Sequence, residues 1–193
     1  MTILPVARLL RSVMLVLGLG LLAACESNDL KKPPVALGDF VMGHNIVVAD
    51  NAQVPGISRQ VTADAWEAAM KTAMDDRFGR YEGSRIYNFG VSIDGYVLAP
   101  PGVPLVASPR SALIITVHVF EDATQIQLNP DGKRLTMVEG MSPESFIGSG
   151  WTQSKDQQLA RMAYRGALAV QRYLLENPEW FGLPPLPEPA PAE

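Results

Sequence analysis

The chain has 193 residues, with 16 Lys+Arg against 20 Asp+Glu, a formal net charge of −4 and a single cysteine. A mildly acidic chain lacks the clustered cations that neutralise nucleic-acid phosphates, which argues against a nucleic-acid partner. One cysteine excludes a disulfide framework and a thiolate metal site within the chain.

Arg8 and Arg11 precede an apolar block from Val13 to Leu22, and Ala23, Ala24 and Cys25 follow it. A basic start, a short apolar run and small residues form the layout of a secretory signal. The run is too short to cross a bilayer comfortably. Leu22-Ala23-Ala24-Cys25 resembles the lipobox of bacterial lipoproteins. The resemblance implies cleavage before Cys25, a diacylglycerol on its sulfur and an N-acyl chain such as palmitate. No other cofactor is expected. Two or more buried acyl chains, each methylene worth about 0.8 kcal/mol, hold a protein stably on a membrane. Glu26, where retained lipoproteins usually carry aspartate, points to the outer membrane and its periplasmic face. Removing residues 1–24, two of them arginines, leaves 169 residues with a net charge of −6. That is one domain's worth of chain.

Residues 25–37 read as a polar, proline-broken tether. Phe40 to Ala49 is rich in valine and isoleucine and predicts a first strand, closed by Asp50, Asn51, Pro55 and Gly56. Thr62 is placed to cap a helix with Asp64 in its first turn. Trp66, Ala69, Met70, Ala73, Met74 and Phe78 give that helix an apolar stripe, and Gly79 stops it. Tyr87, Phe89, Val91 and Ile93 alternate with Asn88, Gly90 and Ser92, a strand with one apolar face that Asp94-Gly95 bends or bulges.

Ala99 to Pro109 carries four prolines around Gly102 and predicts a loop that exposes Val103, Leu105 and Val106, candidate binding residues. Leu113, Ile115, Val117 and Val119 then alternate with Ile114, Thr116, His118 and Phe120 in a third strand. Ile126 and Leu128, the turn Asn129-Pro130-Asp131-Gly132, and Leu135, Met137 and Val138 read as a hairpin. Ser154 and Gln157 form a capping box. From there Leu159, Met162, Ala163, Gly166, Ala167, Val170, Tyr173 and Leu174 recur at helical spacing to Asn177-Pro178. Arg161, Arg165 and Arg172 lie off that stripe, either as a solvated face or as a basic surface for an acidic partner or anionic headgroups. Residues 38–183 make the domain, and Pro184 to Glu193 is a Pro/Glu tail that cannot bury enough surface to order itself. The expected fold is α+β: one domain with a mostly antiparallel sheet of four to five strands and two helices on one face, in the order β-α-β-β-β-α.

No catalytic constellation is visible. His44 and His118 belong to no metal-binding spacing, and His118 on its strand reads as a half-buried, hydrogen-bonded side chain. Gly148-Ser149-Gly150 lacks the spacing of a nucleophile elbow. Asp75 and Asp76 point about 100° apart on a helix and, with Glu67, read as surface charge. Asp39, Asp50 and His44 share no ligand spacing.

The order of elements and the lipid at the front resemble two groups of small envelope lipoproteins. One is the outer-membrane lipopolysaccharide-assembly lipoprotein, similar in the placement of Leu113 to Phe120 and of the turn at Pro130. The other is the curli-secretion and penicillin-binding-protein-activator group, similar in Phe146-Ile147-Gly148-Ser149-Gly150 leading into an alanine-rich helix. Neither carries a site residue over to this chain. The resemblance implies a membrane-anchored accessory or assembly protein that binds another envelope protein. The alternative is a carrier of a lipid or lipopolysaccharide-like ligand, its arginines reading phosphate.

Overall fold

The computed structural model describes residues 29–100, 110–139 and 154–186. The chain forms two compact units, Met1–Pro33 and Pro34–Glu193. In the first a single 3-10 turn, Asp29–Lys31, is described. The second unit runs β1 (Val41–Val48), α1 (Ala63–Phe78), β2 (Ile86–Val97), β3 (Ala112–Glu121), β4 (Ile126–Gln127), β5 (Lys133–Val138) and α2 (Lys155–Leu175), then a 3-10 turn at Pro178–Phe181. It is an α+β fold with one five-stranded sheet. No helix among the described residues is long and apolar enough to cross a membrane.

β1 and β2 are parallel neighbours, which requires a crossover, and α1 provides it. β3 runs antiparallel to β2, and the register slips between Ile93 and Gly95, the bulge expected at Asp94-Gly95. Gln53 fills that irregularity from outside the strand: its N–H donates to Asp94 O and its carbonyl accepts from Tyr96 N–H, both at 2.9 Å. A second slip, between Met42 and Asn45, leaves the His44 N–H without a ladder partner. The Asn88 Oδ1 accepts it at 2.7 Å.

The alternation seen in sequence sorts the faces correctly. Tyr87, Phe89, Val91 and Ile93 of β2 and Leu113, Ile115, Val117 and Val119 of β3 are buried beneath the helices. Ile114, Thr116, His118 and Phe120 lie half-buried on the opposite face. Thr62 caps α1 by accepting from Ala65 N–H at 3.3 Å. Trp66, Met70, Met74 and Phe78 are buried along the predicted stripe. The capping box of α2 is complete, Ser154 Oγ accepting from Gln157 N–H at 3.1 Å and Gln157 Oε1 from Ser154 N–H at 3.0 Å. Helix α2 starts at Lys155 and continues for 21 residues, longer than the apolar recurrence alone outlines. The helices meet where Gly166 of α2 faces Met70 of α1 and Leu113 of β3, at distances a side chain would close.

The predicted hairpin around Pro130 is corrected. β4 and β5 do not pair with each other; both pair antiparallel with β3, one after the other along the same edge. The reversal lies earlier, between β3 and β4, and Asn129 to Gly132 is an excursion within one interrupted strand. Its turn is nevertheless formed as read, with Gly132 N–H on Asn129 O at 2.8 Å. Gly132 sits at φ +71° against the His118 ring and Thr116, a backbone conformation and a clearance that suit glycine alone.

The core also contains polar groups. Arg77, 1% exposed, donates from Nη1 to Gln171 Oε1 at 2.8 Å and lies over the Tyr164 ring. Gln171 donates in turn to Tyr81 Oη at 2.8 Å. This chain of polar contacts crosses the seam between α1 and α2.

Candidate functional site

Strand and helix directions give the domain two unlike ends. β1 and β2 start at the end where the chain enters, and α1, β3 and α2 finish there. Entry is tightly held. The Val35 carbonyl accepts from Tyr81 Oη at 2.8 Å, and Leu37, at the far end of the tether span, is buried in the core. Asp39 N–H donates to Phe181 O at 3.1 Å. Gly38 between them takes φ +88° with the Phe181 carbonyl close against it, so a side chain there would be both strained and obstructed. Tyr87 Oη donates to Trp180 O at 2.6 Å. The exit of the chain after Phe181 thus lies beside its entry. Burial pushes the Tyr81 and Tyr87 hydroxyl pKa values up.

A charged clasp closes the same end. The Asp39 carboxylate accepts from Ser84 Oγ at 2.7 Å and from the Ser84 and Arg85 backbone N–H groups. The Arg85 guanidinium pairs with Glu121, which also accepts from Thr124 Oγ1. Hydrogen bonds from Ser84 hold the Asp39 carboxyl below its ordinary value of 3.8, and the hydrogen bond from Arg85 holds Glu121 below 4.5. A carboxyl with a lowered folded pKa stabilises the fold above its unfolded pKa, and loses that contribution as pH falls through the folded value. Urea midpoints should therefore fall below about pH 4.5, and the Asp39→Asn, Glu121→Gln double variant should start lower at neutral pH and show a flatter acid limb.

At the opposite end, β2, β3, β5 and the start of α2 converge on a buried polar group. Gln158, 1% exposed, donates from Nε2 to Ser111 Oγ at 2.9 Å and to Ala99 O at 3.4 Å. Ser111 Oγ accepts from Ala99 N–H, and Glu139 N–H donates to Ser111 O at 2.8 Å. Among the described residues the Gln158 Oε1 has no donor. The β1–α1 connection reaches the same end: Leu98 N–H donates to Ser58 Oγ and Arg59 N–H to Leu98 O, both at 2.9 Å. The β2–β3 and β5–α2 connections, residues 98–111 and 139–154, both leave and rejoin the fold at this end. None of this cluster was singled out in sequence. Its signal was Gln158, four residues before Met162 and so a polar residue within the apolar stripe.

Of the sequence candidates, Cys25, Val103, Leu105, Val106 and Phe146 to Gly150 lie outside the described residues. Arg161, Arg165 and Arg172 share one side of α2, but not as a uniform basic face. Arg161 pairs with the nearly buried Glu139 at 3.4 Å, and Arg165 donates to Val138 O at 3.4 Å. Both fasten α2 to the end of β5, and Arg172 is left exposed. Asp75 and Asp76 of α1 are exposed, as the surface-charge reading has it, and Glu67 is half-buried. Asp75 accepts from Asn45 Nδ2, and Glu67 from Ala49 N–H, both at 2.9 Å, so the two carboxylates bind α1 to β1.

His118 is half-buried and hydrogen-bonded, as its strand position implied. Its Nδ1 lies 2.6 Å from Gln127 Nε2, an amide nitrogen that also donates to Asn129 O at 2.9 Å. The same nitrogen also reaches Pro130 O at 3.2 Å, so the Gln127 amide ties the ring to the turn. His44 is exposed. Among the described residues no three His, Cys, Asp or Glu side chains gather as a metal site would.

No established sequence family matches the chain, and no curated protein matches it. Several solved structures resemble it in part. A Xanthomonas campestris protein of the DUF330 family is 11% identical, with 77% of this chain and 92% of that one covered at a TM-score of 0.41. The PelC dodecamer protein of Paraburkholderia phytofirmans is 14% identical, covering 68% and 91% at 0.34. A minor lipoprotein of Acinetobacter baumannii is 9% identical, covering 75% and 95% at 0.29. Superpositions of this quality carry no functional assignment.

Proposed function

We propose that this chain is a lipid-anchored, non-catalytic protein of the bacterial envelope that binds a protein partner through the end of its domain opposite the tether. The polarity of the fold is the observation that supports it. Both described chain exits lie at one end, held by Tyr81, Phe181 and Tyr87. The three longest connections, residues 49–62, 98–111 and 139–154, join elements at the other. Loops on a rigid scaffold are where binding residues concentrate, and Ile57, 71% exposed on one of them, is an apolar contact point. Val103, Leu105 and Val106 belong to the second, and Cys25 with its acyl chains faces the periplasm from the outer membrane.

The test has two arms. Labelling with a fatty-acid analogue should mark the wild type and not Cys25→Ser. Photo-crosslinkers at Ile57 and Arg110 should trap one discrete envelope protein, and one at Glu179 should not. Serine at Val103, Leu105 and Val106 together should reduce that capture several-fold at an unchanged melting temperature, as expected for truncated apolar anchors. Equal crosslinking from both ends would overturn the assignment.

A further inference from the structure

The end at which the chain enters carries its own apolar surface. Val35 is 54% exposed and Leu186 58%; Leu183, also exposed, packs against Gly38. Trp180, in the turn that leads to Leu183, is half-buried, its ring edge-on to Tyr173 at 5.5 Å and its carbonyl held by Tyr87 Oη. The core already has what it needs at this end, since Leu37, Phe40 and Phe181 fill it.

What covers these four side chains follows from the length of the tether. Ten peptide steps separate Cys25 from Val35, and a chain of that length spans at most about 35 Å fully extended. The 3-10 turn at Asp29–Lys31 shortens that span further. The opposite end stands a further ~40 Å away, the length of the 12-residue β2. Any bilayer holding Cys25 therefore lies within reach of Val35, Trp180, Leu183 and Leu186, and the loop end can stand clear of it only if this end faces the lipid. Tryptophan with neighbouring aliphatic side chains is the composition that settles at a headgroup boundary. Charges of both signs accompany the patch at this end, exposed Glu82, Glu176, Glu179 and Arg172 together with Arg85 close to Gly182, which suits a zwitterionic headgroup layer.

We infer that Val35, Trp180, Leu183 and Leu186 rest on the lipid interface, so that the acyl anchor and this patch together stand the domain upright with its loop end away from the membrane. The inference rests on the anchor proposed at Cys25. It is tested with the lipidated full-length protein in phosphatidylethanolamine–phosphatidylcholine vesicles whose acyl chains carry bromine, which quenches nearby tryptophan. The difference between wild type and Trp180→Phe isolates Trp180, and its emission should fall about twofold in brominated relative to plain vesicles, as for an interfacial indole. Leu186→Ser, at an exposed position with no fold to lose, should reduce that quenching. Protein that fails to float with vesicles overturns the anchor and the inference together. Protein that floats with Trp180 unquenched overturns the inference alone, and Trp180 shielded only in native membranes would assign the patch to a protein instead.

Discussion

Replacing Phe40 with alanine lowers the unfolding free energy by about 4 kcal/mol, near the upper end for a buried aromatic. Phe40 is 1% exposed and its ring meets five others. It stacks on Tyr87 at 5.5 Å and stands edge-on to Tyr81 at 5.2 Å and Phe181 at 5.6 Å, with Phe78 and Phe89 completing the cluster. These rings come from α1, the turn after it, β2 and the C-terminal turn. The cavity left by alanine cannot collapse, because Tyr81 and Tyr87 are pinned through their hydroxyls to the Val35 and Trp180 carbonyls. The cost then includes the void as well as the lost transfer energy. Urea denaturation measures it, and a loss below about 1 kcal/mol would mean the rings close over the gap. Limited proteolysis should also cut the variant between residues 34 and 39 faster than wild type, since that strap is held by the same rings.

Local pattern made part of this architecture legible. β2 could be assigned faces because small or polar residues alternate with large apolar ones, β3 by the run Leu113, Ile115, Val117 and Val119 against a face that includes Thr116 and His118, and the helices because Thr62 and the Ser154–Gln157 pair mark their starts. What stayed hidden depends on partners far apart in the chain. Arg77 is buried although nothing near it in sequence marks it, because its acceptor, Gln171, is 94 positions away. The stripe of Arg161 and Arg165 was read from helical spacing, but its meaning is set by Glu139 and the Val138 carbonyl, which β5 delivers. Parallel pairing of β1 with β2 leaves no local mark, since the crossover alone decides it. The 3-10 turn at Pro178–Phe181 begins at a proline that reads as an ending, though Phe181 closes the core.

Asn129 shows how a turn can be read correctly and its role missed. The N–H of Leu128 reaches Val119 O at 2.8 Å, and Lys133 lies opposite Val117. In between, the backbone leaves β3, and the Asn129 side chain takes its place: Oδ1 accepts from Val119 N–H and Nδ2 donates to Val117 O, both at 2.9 Å. A primary amide matches a peptide group in donor and acceptor, so it continues the ladder across the gap. Asn129→Leu fills the space and leaves one buried donor and one buried acceptor unpaired, a combined cost of about 3 kcal/mol. Asn129→Asp tells the two hydrogen bonds apart. The acceptor toward Val119 survives, while at neutral pH a carboxylate oxygen faces the Val117 carbonyl, so this variant too is strongly destabilised. Protonation lets the new carboxyl donate to that carbonyl, which raises its folded pKa above the unfolded one. Stability is then regained as pH falls through that raised value. Urea midpoints measured from pH 7 down to about 5 should show the Asn129→Asp deficit shrinking and the Asn129→Leu deficit constant. Parallel curves for the two variants would mean the amide bridges nothing.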